Sequence, residues 1–353
     1  MGDLESLAAS SLGTAGNGPD GMNLQETFFK DRRVLITGGL GFIGSNLARR
    51  LLGLGAQVAL VDSLIPEYGG NLFNIEDIHR RAEVNISDVR DPYAMRQHVR
   101  GKDLLFNLAG QTSHLDSMRE PEADLEINCK AQLSILETCR RENPSIRIVF
   151  AGTRQVYGRP QYLPVDEAHP VQPVDVNGIN KLAGELYHLL YCSTHGIPCC
   201  VLRLTNTYGP GMRVKDARQT FLGIWLRRII EGQPIQVFGD GSQRRDFNHV
   251  DDVVDAMLLA ASSDKAVGRV YNLGGTEVVS LKELAALLIE ANGGGQYETL
   301  PFSNELKKID IGDYAGDFRK IETELGWRPV VSLREGLRCS LEYYRQHQKR
   351  YWD

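Results

Sequence analysis

The chain has 353 residues, 42% of them hydrophobic and 24% charged, which describes a globular protein with a well-buried core in one large or two modest domains. A formal net charge of −5 gives no general attraction for nucleic acid or an anionic membrane surface, and no apolar run approaches the ~20 residues of a membrane helix. The six cysteines (Cys129, Cys139, Cys192, Cys199, Cys200 and Cys339) form no C-x-x-C pair and no metal spacing, so they read as reduced core residues of a cytoplasmic protein that binds no metal.

Residues 1–30 read as a disordered tail, rich in Gly, Ser, Ala and Asn at first and without a periodic apolar face. Asp3 and Glu5 stand where a secretory signal carries basic residues. From Arg33 short β-branched runs alternate with helical stretches. The strands are predicted at Val34–Thr37, Val58–Asp62, Ala82–Asn85, Leu104–Leu108 and Ile146–Phe150. A long helix from Asn177 to His195 follows, then a strand at Cys200–Leu204. Alternation of this kind predicts right-handed βαβ crossovers and an α/β fold with a doubly wound parallel sheet of the Rossmann type. After Tyr208-Gly209-Pro210 the alternation loosens. Helical stretches at Gln219–Glu231 and Leu281–Ala291, with strands at Ile235–Phe238 and Val270–Leu273, suggest a smaller substrate lobe over 206–353, some of it returning to the first domain, 31–205.

Thr37-Gly38-Gly39-Leu40-Gly41-Phe42-Ile43-Gly44 joins the first strand to the first helix and fits both G-x-G-x-x-G and G-x-x-G-x-x-G. Glycine is needed there for a tight turn, for close backbone approach to a pyrophosphate, and for free N–H groups at the helix start, with Phe42 and Ile43 following Gly41 into the helix. Asp62 ends the second strand 18 residues beyond Gly44, where a carboxylate accepts from ribose hydroxyls and repels a 2′-phosphate. The implied cofactor is NAD rather than NADP.

Further motifs carry a resemblance. Leu108-Ala109-Gly110-Gln111, Thr153-Arg154-Gln155-Val156-Tyr157-Gly158, Lys181, Arg203-Leu204-Thr205-Asn206-Thr207-Tyr208-Gly209-Pro210 and Gln243-Arg244-Arg245-Asp246-Phe247 together resemble the extended short-chain dehydrogenase/reductase family of sugar-nucleotide epimerases and dehydratases, over almost all of residues 33–345. The resemblance implies that Asp88 and Val89 contact the adenine, that residues 108–111 lie along the cofactor, and that Asn71 adds a ribose contact unless it caps a turn. It implies a Thr153 hydroxyl bonded to the reacting sugar oxygen, a Lys181 on the nicotinamide ribose, and a role for Asn128 in the site. Arg154, Asn206 and Arg245 would hold the substrate, with Val237 and Phe238 against its base. Tyr157 reads as structural. Relatives pair two helices per subunit, here 123–141 and 177–195, so a homodimer is implied.

One position departs. Relatives carry a catalytic Tyr four residues before the Lys, and here that residue is Asn177. An amide is no general base near neutral pH. Three explanations remain open: another base, a reaction with a weaker need for one, or binding without turnover. His114 is the first candidate for a base; Lys181 acting through water is comparable, and Asp175 is a further candidate that equally reads as a helix cap. Relatives that eliminate water or decarboxylate place carboxylates after the Thr, where this chain has Arg154-Gln155. Epimerisation of a nucleotide-diphosphate sugar through a keto intermediate is therefore the favoured reading. A dehydrogenase or dehydratase of the same family is the nearer alternative, and a silent NAD and sugar-nucleotide binder the more distant one.

Overall fold

The computed structural model describes residues 24–218, 220–302 and 304–352. In chain order the strands are β1 (Arg33–Thr37), β2 (Gln57–Asp62), β3 (Glu83–Ile86), β4 (Leu104–Asn107), β5 (Arg147–Thr153), β6 (Cys199–Leu204), β7 (Asn206–Tyr208), β8 (Ile235–Phe238), β9 (Arg244–His249), β10 (Val270–Asn272), β11 (Val278–Ser280) and β12 (Tyr297–Leu300). Seven form one all-parallel sheet in the order β10-β6-β5-β4-β1-β2-β3. The winding direction changes between β1 and β4, and a ligand crevice is expected beyond the carboxyl ends of the strands at that point.

Helices cover both faces, which explains why the inner strands read as continuous apolar runs. Side chains of β1 still alternate between two cores. Val34 and Ile36 join Leu47 and Leu51 of the Phe42–Gly53 helix, while Leu35 joins Met95, Ile135 and Ile148 on the other face. The second lobe adds the three-stranded β11-β9-β7 sheet and the parallel β12-β8 pair. Among the described residues no helix is long and apolar enough to cross a membrane.

Three expectations need correction or refinement. Leu24–Phe29 is helical, and the fully buried Phe29 anchors it in the main core, so the tail does not reach residue 30; the rest of that expectation lies outside the described residues. The helix read as 123–141 is in three parts, Pro121–Leu125, a π-helical turn Glu126–Lys130, and Ala131–Glu142. The returning segment is β10, the edge strand of the main sheet. Its Asn272 accepts from the Tyr157 hydroxyl at 2.6 Å, which itself accepts from Arg203 Nη1 at 2.6 Å, so the two parts of the chain are joined by a buried polar chain.

Candidate active site

A cavity of about 740 Å³ opens over the carboxyl ends of the central strands and runs into the second lobe. At one end is the glycine turn. Gly38 has φ +69°, and a Cβ at Gly44 would lie 2.3 Å from Gly38 O, so neither position accepts a side chain without moving the backbone. Gly41 precedes the Phe42–Gly53 helix without a side-chain cap, leaving the first-turn N–H groups of Phe42, Ile43 and Gly44 to an anion. These residues all line the cavity, as do Asp88, Val89 and 108–111.

Asp62 lies beside that turn. Its Oδ2 accepts from Leu40 N at 3.1 Å and its Oδ1 from Leu64 N at 2.9 Å, while burial raises its carboxyl above the ordinary value. Asp88 is paired with Arg90 at 2.6 Å. Asn71 is not brought to the cavity. Its Oδ1 accepts from Phe73 N at 3.0 Å and its Nδ2 donates to Arg350 O, so the turn-capping alternative is the one the structure realises. The glycine cradle, the uncapped helix start and the Asp62 carboxylate fit a dinucleotide.

The central part is built on the Val176–His195 helix. Lys181 is buried; its ammonium donates to Ala151 O at 2.7 Å and lies 4.8 Å over the Phe150 ring. Burial pulls it down to about 8, against the upward pull of Asp124 and Glu185. Thr153 ends β5 and accepts from Gln155 N at 3.2 Å, which leaves its own O–H available toward the cavity. Asn177 also lines the cavity, but its amide nitrogen is turned to three acceptors: Gln111 O at 2.9 Å, Gln111 Oε1 at 3.2 Å and Asp124 Oδ2 at 2.9 Å. Three acceptors around one atom fix that atom as the nitrogen. Asp124, fully buried, also accepts from Asn128 at 3.0 Å and Asn180 at 2.8 Å. The π-helical turn carries Asn128 to this cluster, and Gly184 makes room for it, since a Cβ there would stand 2.9 Å from Asn128 O.

His114 faces the same space. Its Nδ1 is buried and lies 3.0 Å from Asp175 Oδ2, within ion-pair distance although the ring N–H is not aligned on that oxygen. Asp175 caps the long helix through Gly178 N at 2.6 Å and accepts from Gln155 Nε2 at 2.8 Å. Burial acts upward on its carboxyl, but the His114 ring, Gly178 and Gln155 together hold it below the ordinary value.

At the far end two buried guanidiniums line the wall. Arg154 donates to Asn206 Oδ1 at 3.0 Å and lies 5.0 Å over the Tyr314 ring; Arg245 has Asp310 at 3.5 Å. Burial and the neighbouring Arg154 charge pull Arg245 down to about 10. Asp310, Asp313 and the buried Asp246 offset part of this positive charge, yet burial and the mutual repulsion of the two guanidiniums prevail at Arg245, and two cations held this close suit an anion. Phe238 lines the cavity, but Val237 does not. Strand alternation turns Val237 into the core, fully buried, so the platform is made by Phe238 with Phe302, whose ring centre is 6.2 Å away. Sequence reasoning missed Asp124, Tyr314 and Phe302. Only Asp124 left a signal, a carboxylate one helical turn before Asn128.

The model of the NAD dependent epimerase/dehydratase family matches residues 34–274. The chain is 31% identical to the dTDP-glucose 4,6-dehydratase of Streptomyces griseus, over 91% of this chain and 96% of that one. It is 29% identical to the UDP-glucose 4-epimerase of Mycolicibacterium smegmatis, over 89% and 98%. Among solved structures, the UDP-glucose 4-epimerase of Thermotoga maritima with UDP-glucose superimposes with a TM-score of 0.81 at 31% identity, covering 89% of this chain and 99% of that one. With its parallel Rossmann sheet, its dinucleotide cradle and a match over most of its length, this chain belongs to the NAD dependent epimerase/dehydratase family.

Proposed function

We propose that the protein epimerises a nucleotide-diphosphate sugar through a transient keto sugar, using NAD. The observation that carries this reading is that Thr153 and Lys181 line one continuous cavity together with Asn206, Arg154 and Arg245. A hydroxyl donor, a cation and an anion cradle thus face one ligand space. When bound, NAD supplies the hydride acceptor and donor.

Thr153 is placed to donate to the reacting sugar oxygen. Lys181 would hold the nicotinamide ribose and lend positive charge beside the reacting centre. Asn206 and the two guanidiniums are assigned to the diphosphate, and Phe238 to the base. Asn177 orients rather than titrates, so the proton carrier is another group on the same wall. Elimination lacks support because Arg154 and Gln155 supply no carboxylate acid–base pair, whereas epimerisation needs only hydride transfer and one proton carrier. Reversible dehydrogenation remains the nearest enzymatic alternative. Sugar-nucleotide epimerases and dehydratases among the relatives support the substrate class.

A homodimer belongs to the same proposal. Ile179, Leu186 and Leu190 lie on the outer face of the Val176–His195 helix and are about half exposed, and Leu125 and Met118 are exposed nearby in the chain fold. A silent binding protein is the reading that Asn177 itself favours. Incubating the purified, NAD-loaded protein with a panel of UDP- and dTDP-hexoses decides between them: interconversion seen by NMR supports the epimerase, and tight binding without conversion of any sugar refutes it.

A further inference from the structure

We propose that His114 and Asp175 form a dyad in which His114 Nε2 takes and returns the proton of the sugar hydroxyl while Asp175 positions the ring. The proposal rests on the hydride-transfer reading above and names the carrier that Asn177 cannot be.

The geometry gives the two ring nitrogens different surroundings. Nδ1 is buried against Asp175 Oδ2 at 3.0 Å, whereas the ring remains 38% exposed and borders the cavity, so its open edge faces the ligand space. Asp175 has no exposed side-chain surface and is fixed from two further directions by Gly178 N and Gln155 Nε2. An ionised carboxylate at Nδ1 keeps the proton on that nitrogen and leaves a lone pair on Nε2. Catalytic hydrogen bonds are often poorly aligned until ligand binds, so the unaligned N–H does not argue against the pairing. The His114–Arg119 turn is also pinned to the long helix, because Asn177 N donates to Ser117 Oγ at 3.2 Å and Ser117 Oγ donates to His114 O at 2.8 Å. This ties the turn that carries His114 to the backbone of residue 177, where relatives carry their tyrosine.

The other titratable groups on the wall are less suited. Lys181 keeps its proton below about 8 and spends one N–H on Ala151 O. Tyr68 holds its phenolic proton more firmly than usual because of burial and Glu120. Asp116, in the turn of His114, is paired with Arg218 at 3.2 Å, and Arg119 with Glu305 at 2.8 Å. Asp124 of the neighbouring helix is engaged by three amides.

In the forward step the hydroxyl O–H bond would break with its proton going to Nε2, while NAD, held by the glycine turn and Asp62, would supply the acceptor for the C–H electron pair, so that the sugar carbon becomes a ketone. The imidazolium, held by Asp175, returns the proton when hydride is delivered to the opposite face, and the alcohol re-forms with inverted configuration.

The test uses the full-length, NAD-loaded protein and the variants His114→Gln, Asp175→Asn and Asp175→Glu. Asparagine is itself a good N-cap, so Asp175→Asn removes the charge while keeping the helix start. NMR titration of the His114 imidazole should give a lower midpoint in Asp175→Asn than in the unmodified protein. His114→Gln should lower kcat on the order of 10²-fold or more, with NAD affinity unchanged. The acid limb of the kcat profile should follow the NMR midpoint; Asp175→Asn should also lower kcat, and Asp175→Glu should recover part of that loss. Retention of turnover by His114→Gln, or a His114 midpoint indifferent to Asp175→Asn, overturns the dyad. Absence of turnover by the unmodified protein on every sugar nucleotide overturns the hydride-transfer reading and the dyad's proton-carrying role with it; the NMR midpoint still reports whether the pair itself exists.

Discussion

Asn177 Nδ2 stands 2.9 Å from Asp124 Oδ2, so residue 177 serves a buried carboxylate as a donor. Asn177→Leu removes that donor and should destabilise the fold by about 1–3 kcal/mol, the usual effect of depriving a buried polar group of a partner. An unchanged denaturant midpoint would refute this. Asn177→Tyr should not raise activity, because the phenol cannot reproduce the amide's contacts with Gln111 and Asp124. A large rise would mean that the native site is impaired and serves binding.

Asp62 should make the protein prefer NAD to NADP, because its carboxylate is fixed by Leu40 N and Leu64 N beside the glycine turn. Calorimetry should show tight NAD and weak NADP binding, with Asp62→Ala weakening the first and easing the second. Equal affinities in the unmodified protein would sink the assignment.

Arg245→Ala should cost about 1.5–3 kcal/mol in sugar-nucleotide binding, the worth of a hydrogen bond to a charged group, without loosening NAD. The check is a pair of titrations, and a free hexose binding as well as its nucleotide form would remove the diphosphate from the proposal.

Lys181 predicts a pH dependence. Its folded value is about 8 against an ordinary 10.5, so between them the unfolded chain holds a proton that the folded chain has released. Stability contributed by this group therefore rises with pH across that interval, and below it the buried charge is a standing cost. The Tm of Lys181→Met, relative to the unmodified protein, should fall as pH rises through this window. Turnover should fall over the same range as the cation is lost. A difference in Tm that is flat with pH would show that Lys181 is not depressed.

The outer face of the Val176–His195 helix should mediate dimerisation. Light scattering at micromolar concentration should give twice the chain mass of 39.3 kDa, and Leu186→Glu should halve it. A monomer in the unmodified protein would overturn the expectation.

The parallel sheet and the glycine turn were legible because strand runs buried on both faces and positions closed to Cβ leave strong marks on a sequence. Thr153, Lys181 and Arg245 were legible only through the family motifs that contain them, and the structure brings all three to the lining of one cavity. Val237 was misplaced because the resemblance was carried over to the strand as a whole, although the polar Gln236 marks the cavity-facing parity that Phe238 shares. Asn71 looked the same as a ligand or a cap, and only its partners decide. The Asp124 cluster depends on a π-helical turn and on two helices in close contact at Gly184, neither of which leaves a periodic pattern.

The edge position of β10 bears on how the chain is made. Residues 34–204 supply six of the seven strands, but the last place in the sheet is filled only when residues 270–272 have been synthesised. Until then β6 exposes an unpaired edge, and the Tyr157 hydroxyl lacks its acceptor on Asn272. The cofactor half is therefore not a unit that matures first on the ribosome. A fragment ending near 205 carries an open strand prone to mispairing, so a cut there should give an aggregating fragment.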